Sequence, residues 1–171
     1  LVIRRQRQMC IRDRSTSDIS IYECINFARG AVTPSLNPKA IECLEKSIKK
    51  DPNYADAWIW LADRKRAQHS SFSMTNEFKY MLEEASKEID RGLILDPEHA
   101  FGYSTKLQIE FYKNNWQEMF NVAEKAYSLA GERPHLLGKI GYSLAYGGQC
   151  EKEDIYKSTD ELKSVKNNRC Q

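Results

Sequence analysis

Three histidines, five cysteines and several close carboxylate pairs are the residues of this chain that could carry chemistry. Each type has a spacing to satisfy. Zinc held on a helix takes two histidines four residues apart, with a glutamate between them when the metal is to activate water. His69, His99 and His135 are scattered and form no such pair; they read as loop and helix-end residues. A redox or metal knuckle takes C-x-x-C, and Cys10, Cys24, Cys43, Cys150 and Cys170 contain none. Cys24 and Cys43 fall on inward helix faces and read as small buried hydrophobes, with a disulfide between them as the alternative. Gly147-Gly148 reads as a helix stop in the left-handed C-cap conformation. It is not a phosphate loop, because Gly, four residues, then Gly-Lys-Ser/Thr occurs nowhere. Glu83-Glu84 and Glu151/Glu153 sit in charge-rich helical surface, where carboxylates are solvated. The expectation is a non-enzyme without cofactor or metal.

The chain's 171 residues, 41% hydrophobic and 29% charged, suit one domain large enough to bury a core. Its longest apolar runs, such as "AWIWLA" at 57–62, fall far short of the roughly 20 residues that cross a bilayer. "LVIRRQRQMC" breaks into charge after three residues, unlike a secretory signal. The expected location is the cytoplasm, or the periplasm if a membrane helix lies upstream, with no membrane insertion by this segment.

Net charge is +2, yet residues 1–14 hold five Arg and one Asp, so everything from Ser15 onward sums to −2. Downstream the charges alternate in sign, as in "ECLEKSIKKD" and "EEASKEIDR", the pattern of a solvated helix surface. Nucleic-acid binding would therefore rest on the basic arm alone, and none is expected of the domain. Within that arm, "MCIRDR" resembles the in-frame translation of a transposase sequencing adapter. Residues 1–14 then read as foreign to the protein, or else as an ordinary disordered basic terminus.

Self-similarity is the strongest signal in the remainder. "AIECLEKSIKKDPNYADAW" (40–58) and "ASKEIDRGLILDPEHAFGY" (85–103) match small residue for small residue. Ala40 pairs with Ala85, Leu44 with Ile89, Ser47 with Gly92, Asp51-Pro52 with Asp96-Pro97, Ala55 with Ala100 and Trp58 with Tyr103. Ala40, Ile41, Leu44, Ser47 and Ile48 recur at three- and four-residue intervals and form one helical stripe. Little side chain at Ala40 and Ser47 lets a neighbouring helix approach closely. Pro52 ends the helix by pushing the residue before it out of the α region, and "NYADAWIWLADRKRA" begins the next.

Two antiparallel helices joined by tight turns resemble the tetratricopeptide repeat (TPR), a hairpin of about 34 residues. Trp58, Leu61 and Ala62 stand where that family places Trp, Leu and Gly on its first helix. Ala40, Leu44, Ser47 and Pro52 match its second-helix Ala, Phe or Tyr, Ala and Pro. The resemblance implies an all-α, right-handed superhelix of about four TPR hairpins, an α-solenoid, with repeats at about 21–52, 55–97, 100–131 and 134–165. Helices are expected at 21–32, 38–50, 55–68, from Asn76 to Leu95, 100–113, 116–130 and from Pro134, then a polar closing helix from Glu151 and a tail at 166–171. Asn37 is expected to cap the second of these, ahead of Pro38. Asp51 to Asp96 spans 45 residues, about eleven more than one repeat, which reads as a lengthened loop at 69–75. "YECINFARGAV", "AWIWLADRKRA", "FYKNNWQEM" and "GYSLAYGGQCE" further resemble TPR regions that follow winged-helix or adenylate/guanylate cyclase domains in bacterial regulators.

Stacked hairpins curve, and their first helices line the hollow side. In this register Tyr22, Arg29, Asp56, Ile59, Asp63, Arg66, Phe101, Ser104, Gln108, Tyr112, Lys139, Tyr142 and Tyr146 look into that trough. Phe111, Trp116 and Trp58 read as packing residues. The family's clamp for a peptide's terminal carboxylate uses Lys and Asn, where this chain has Ile25, Arg29, Trp60 and Thr105, so that specificity is not implied. What is implied is a non-catalytic scaffold that takes a protein or peptide partner and no small-molecule substrate, as the sensing or assembly part of a bacterial transcriptional or signalling regulator. The rival readings are the basic arm on nucleic acid and the regulatory part of a nucleotide cyclase; self-association stays open.

Overall fold

The computed structural model describes residues 18–68 and 75–147. They form seven helices and, among the described residues, no strand: α1 (Ile19–Gly30), α2 (Asn37–Lys50), α3 (Ala55–Ala67), α4 (Asn76–Leu95), α5 (Ala100–Tyr112), α6 (Trp116–Ala130) and α7 (Pro134–Tyr146). The basic arm, residues 69–74 of the lengthened loop, Gly148, and the closing helix and tail expected beyond Glu151 lie outside the described residues.

Local chemistry sets the ends of these helices. Asp18 caps α1 by accepting from the Ser20 amide at 2.8 Å, and Thr75 caps α4 by accepting from Phe78 N at 3.2 Å. Both satisfy an amide that has no partner inside the helix. Asn37 behaves otherwise. It is the first residue of α2, and its buried side chain donates to the Arg64 carbonyl at 2.8 Å, fastening α2 to the end of α3 instead of capping its own helix.

The two matched phrases fold alike. Asp51 and Asp96 end α2 and α4 with φ near −135° and ψ near 90°. Their amides donate to Ser47 O and Gly92 O, both at 2.9 Å. Their carboxylates accept from Asn53 N and Glu98 N, both at 3.2 Å. Each Asp-Pro thus builds one tight turn, after which the chain reverses into α3 or α5. The later turns use positive φ: Asn114 has φ 57° before α6 and Gly131 φ 56° before α7, a region where Asn and Gly are tolerated. Gly147 does not adopt the left-handed conformation, since its φ is −76°. Its lack of a side chain matters for space, because a Cβ there would lie 2.7 Å from Met119 Cε.

Packing is strictly neighbour on neighbour. Each helix contacts the next, and α1 meets α3, α3 meets α5 and α5 meets α7, whereas α2, α4 and α6 make no mutual backbone approach. First helices crowd together and second helices splay, so the array curves with α1, α3, α5 and α7 inside. The interior is correspondingly a string of three clusters. Ile21, Cys24, Ala28, Ala40, Leu44 and Leu61 form one; Ile59, Ala62, Ala85, Ile89 and Ile109 the next; Leu107, Met119, Val122, Leu136, Ile140 and Leu144 the last. Small residues permit the close approaches: a Cβ on Gly92 would sit 2.6 Å from Ile59 Cγ1, and one on Gly102 2.8 Å from Leu93 Cδ2.

Three further residues differ from expectation. Cys24 and Cys43 are joined as a disulfide between α1 and α2, with Cα atoms 5.8 Å apart, and are not merely small hydrophobes. Trp58 is half-buried, its indole N–H donating to Pro52 O at 2.9 Å, so it clasps the turn before its own helix and does not fill a core. Among the described residues no helix is long and apolar enough to cross a membrane.

Candidate functional site

Residues seven apart share a helix face, and on each inner helix that face points to the hollow side. On α1 it carries Tyr22 and Arg29, both exposed. On α3 it carries Asp56, Trp60 and Asp63, on α5 Phe101, Gln108 and Tyr112, with Thr105 fully buried between them, and on α7 Lys139, Tyr142 and Tyr146.

One residue from each inner helix joins a continuous row. The Arg29 guanidinium lies 5.7 Å from the Trp60 ring centroid, Trp60 stacks on Phe101 at 4.4 Å with 25° between planes, and Lys139 Nζ sits 4.4 Å over Phe101. Cation and ring attract through the ring's negative face. The row crosses the trough from α1 to α7.

Carboxylates brace it at both ends. Asp56 Oδ2 is 3.9 Å from Arg29 and accepts from the Tyr54 hydroxyl at 3.2 Å. Asp56 Oδ1 lies 2.7 Å from His99 Nε2. Because His99 Nδ1 accepts from Gly102 N at 3.0 Å as the cap of α5, Nε2 carries the hydrogen and donates to Asp56. Burial acts to raise the Asp56 pKa, but His99, Tyr54 and Arg29 outweigh it and hold the carboxyl below its ordinary value.

The second brace is deeper. Asp63, only 1% exposed, is met by Arg64, by Arg66 at 2.8 Å and by Lys139 at 3.8 Å. Burial alone would raise its pKa; Arg66, Lys139 and Arg64 together overcome that and hold it far below the carboxylate range. Arg64 also donates to Ala31 O at 2.7 Å and lies 5.7 Å from the Trp60 ring, so a single side chain ties the end of α1 to the trough floor. Lys139 is pushed below its ordinary value, first by burial and then by the neighbouring Arg66 and Arg64 charges, with Asp63 opposing.

The far half of the trough is aromatic. Phe111 meets Tyr112, Tyr142 and Tyr146 edge-on at 5.3, 6.3 and 6.5 Å, and Tyr142 lies 4.4 Å from Tyr146. Tyr112 also meets Phe78 edge-on at 5.9 Å.

Of the thirteen residues expected in the trough, Arg29, Asp56, Phe101 and Lys139 meet in the row and its brace, Asp63 is a buried anchor bonded to Arg66, Tyr112, Tyr142 and Tyr146 gather around Phe111, and Tyr22 and Gln108 keep some exposure. The other two lie elsewhere. Ile59 is fully buried against Gly92 and Gly102, because it faces α4 and α5, one residue away from the inner stripe. Ser104 is fully buried and donates to Phe101 O at 2.9 Å, satisfying its own helix. Trp60, named above only as the occupant of a clamp position, and Arg64 lie outside the expected set. The i, i+4 spacing of Asp56 and Trp60 could have indicated the first; Arg64 reaches a partner 33 residues away, which no local spacing encodes.

No known family's sequence profile matches the chain, and no curated protein matches it. Among solved structures it is similar to the crystal structure of a thermophilic TPR protein of Thermus thermophilus. The TM-score is 0.70 at 14% sequence identity, over 91% of this chain and 78% of that one. The fold is therefore a TPR-like array of helical hairpins, an α-solenoid. The narrower likeness to winged-helix regulators or cyclases finds no support in these comparisons.

Proposed function

We propose that the hollow face of this array binds a polypeptide segment, and that the chain is a scaffold built from about four repeats with the divisions given above. The carrying observation is the row Arg29, Trp60, Phe101, Lys139, in which each inner helix supplies one side chain to a surface that crosses the trough. Rings give large contact area at low entropic cost, and Trp, Tyr and Arg dominate binding hot spots. A segment lying along the trough would touch the row first and then Tyr112, Tyr142 and Tyr146. The narrower role, the sensing or assembly part of a bacterial regulator, is supported by the four sequence phrases alone.

The test is selection of binders from a random peptide library on the whole chain. Trp60→Ser should abolish capture, while Tyr80→Ser on the outer helix α4, where Tyr80 is 67% exposed, should not. Equal loss in both variants, or in neither, would remove the trough from the account.

A further inference from the structure

We propose that the segment taken by this trough is acidic, its carboxylates seated between Lys139 and Arg66. This rests on the peptide-binding reading above and specifies the partner's chemistry. Four cations, Arg29, Arg64, Arg66 and Lys139, face two carboxylates, Asp56 and Asp63, a local surplus of two positive charges. Residues from Ser15 onward sum to −2, so within that part of the chain the trough is positive and the remainder negative. Charge of one sign gathered in a concave, low-dielectric site attracts the opposite sign.

Hydrogen-bonding capacity points the same way. Arg64 and Arg66 spend Nη groups on Asp63, yet the Nε of each is buried with no partner. A guanidinium offers five donors in a fork that fits carboxylates. On the same stripe of α5 as Phe101, Gln108 is only partly buried and its Oε1 also lacks a partner, an acceptor suited to a peptide amide. Buried polar atoms are ordinarily paired, and the side chains that carry these stand beside the row. A nucleic acid fits less well. Phosphates need cations repeated along a strand, whereas three of these four converge on one buried carboxylate.

The selected peptides decide the matter. Enrichment in Asp and Glu over the unselected library is expected, with affinity falling when NaCl rises from about 50 to about 300 mM. Lys139→Met should weaken a selected peptide by about tenfold or more. Arg29→Met, at a half-exposed position, is the second variant should Lys139→Met lower the melting temperature, and should weaken the same peptide severalfold. Peptides lost with Trp60→Ser but showing no acidic enrichment would overturn the charge inference and leave the trough reading intact. Peptides indifferent to Trp60→Ser, or none at all, would end both. Lys139-dependent capture of a single-stranded oligonucleotide that displaces the peptides would also overturn the inference.

Discussion

Trp60 of α3 and Phe101 of α5 stack at 4.4 Å, flanked on their outer sides by Arg29 and Lys139. The pair couples two helices that are next-but-one in the chain and keeps both rings at the trough surface. Offset aromatic pairs contribute about 0.5 to 1.5 kcal/mol beyond their buried area. A double-mutant cycle with Trp60→Ala and Phe101→Ala, read by urea denaturation, should return a coupling in that range. Additive losses would mean that the stack carries no energy of its own.

Gly92→Ala should destabilise by about 1 to 3 kcal/mol, because the new methyl meets Ile59 Cγ1 at 2.6 Å and the α3 backbone near 3.3 Å. Gly30→Ala, with nothing within 4 Å of the added Cβ, should leave the denaturation midpoint unchanged or slightly raised. The contrast separates steric nesting from helix propensity.

Asp63→Ala should cost about 3 to 5 kcal/mol, the penalty for leaving buried charges without their partner. Its folded pKa is depressed, so Asp63's contribution is fully present above its ordinary value of 3.8 and is lost as the pH falls below it. Thermal melts between pH 5 and pH 2 should show the wild type losing stability that the alanine variant never had.

Glu88 titrates in the opposite sense. Burial raises its pKa to about 7 against the pull of Lys65, with Glu84 and Glu45 adding repulsion, and its Oε2 is buried without a partner. The folded state then keeps a proton that the unfolded state has released, so stability falls as pH rises from about 4.5 towards 7. Glu88→Gln should abolish that decline, exceeding the wild type at pH 8 by on the order of 1 to 3 kcal/mol. Parallel pH–stability curves would refute it.

Much of the architecture was legible because it is local. Apolar spacing, Asp-Pro turns and the Ala40/Ser47 and Ala85/Gly92 stripes placed the helices to within about two residues. The trough was legible only as a stripe. A one-residue rotation about α3 decides that Ile59 is core and Trp60 is surface, and periodicity alone does not fix that angle. In "DRKR", Asp63 and Arg66 are expected to look into the trough, yet Asp63 and Arg64 are buried because their partners come from Ala31 and Lys139. Tyr112 shows the same limit: it leans on Phe78 and Phe111, so its ring serves the fold as well as the trough.

Three clusters in line among the described residues, where a globule would have one centre, give this array a particular tolerance. Damage at either extremity stays there, since each hairpin depends only on the ones beside it. Lineages carrying such a chain could therefore gain or shed whole hairpins at the ends and keep the remainder standing, adjusting the span of the binding face without redesigning it.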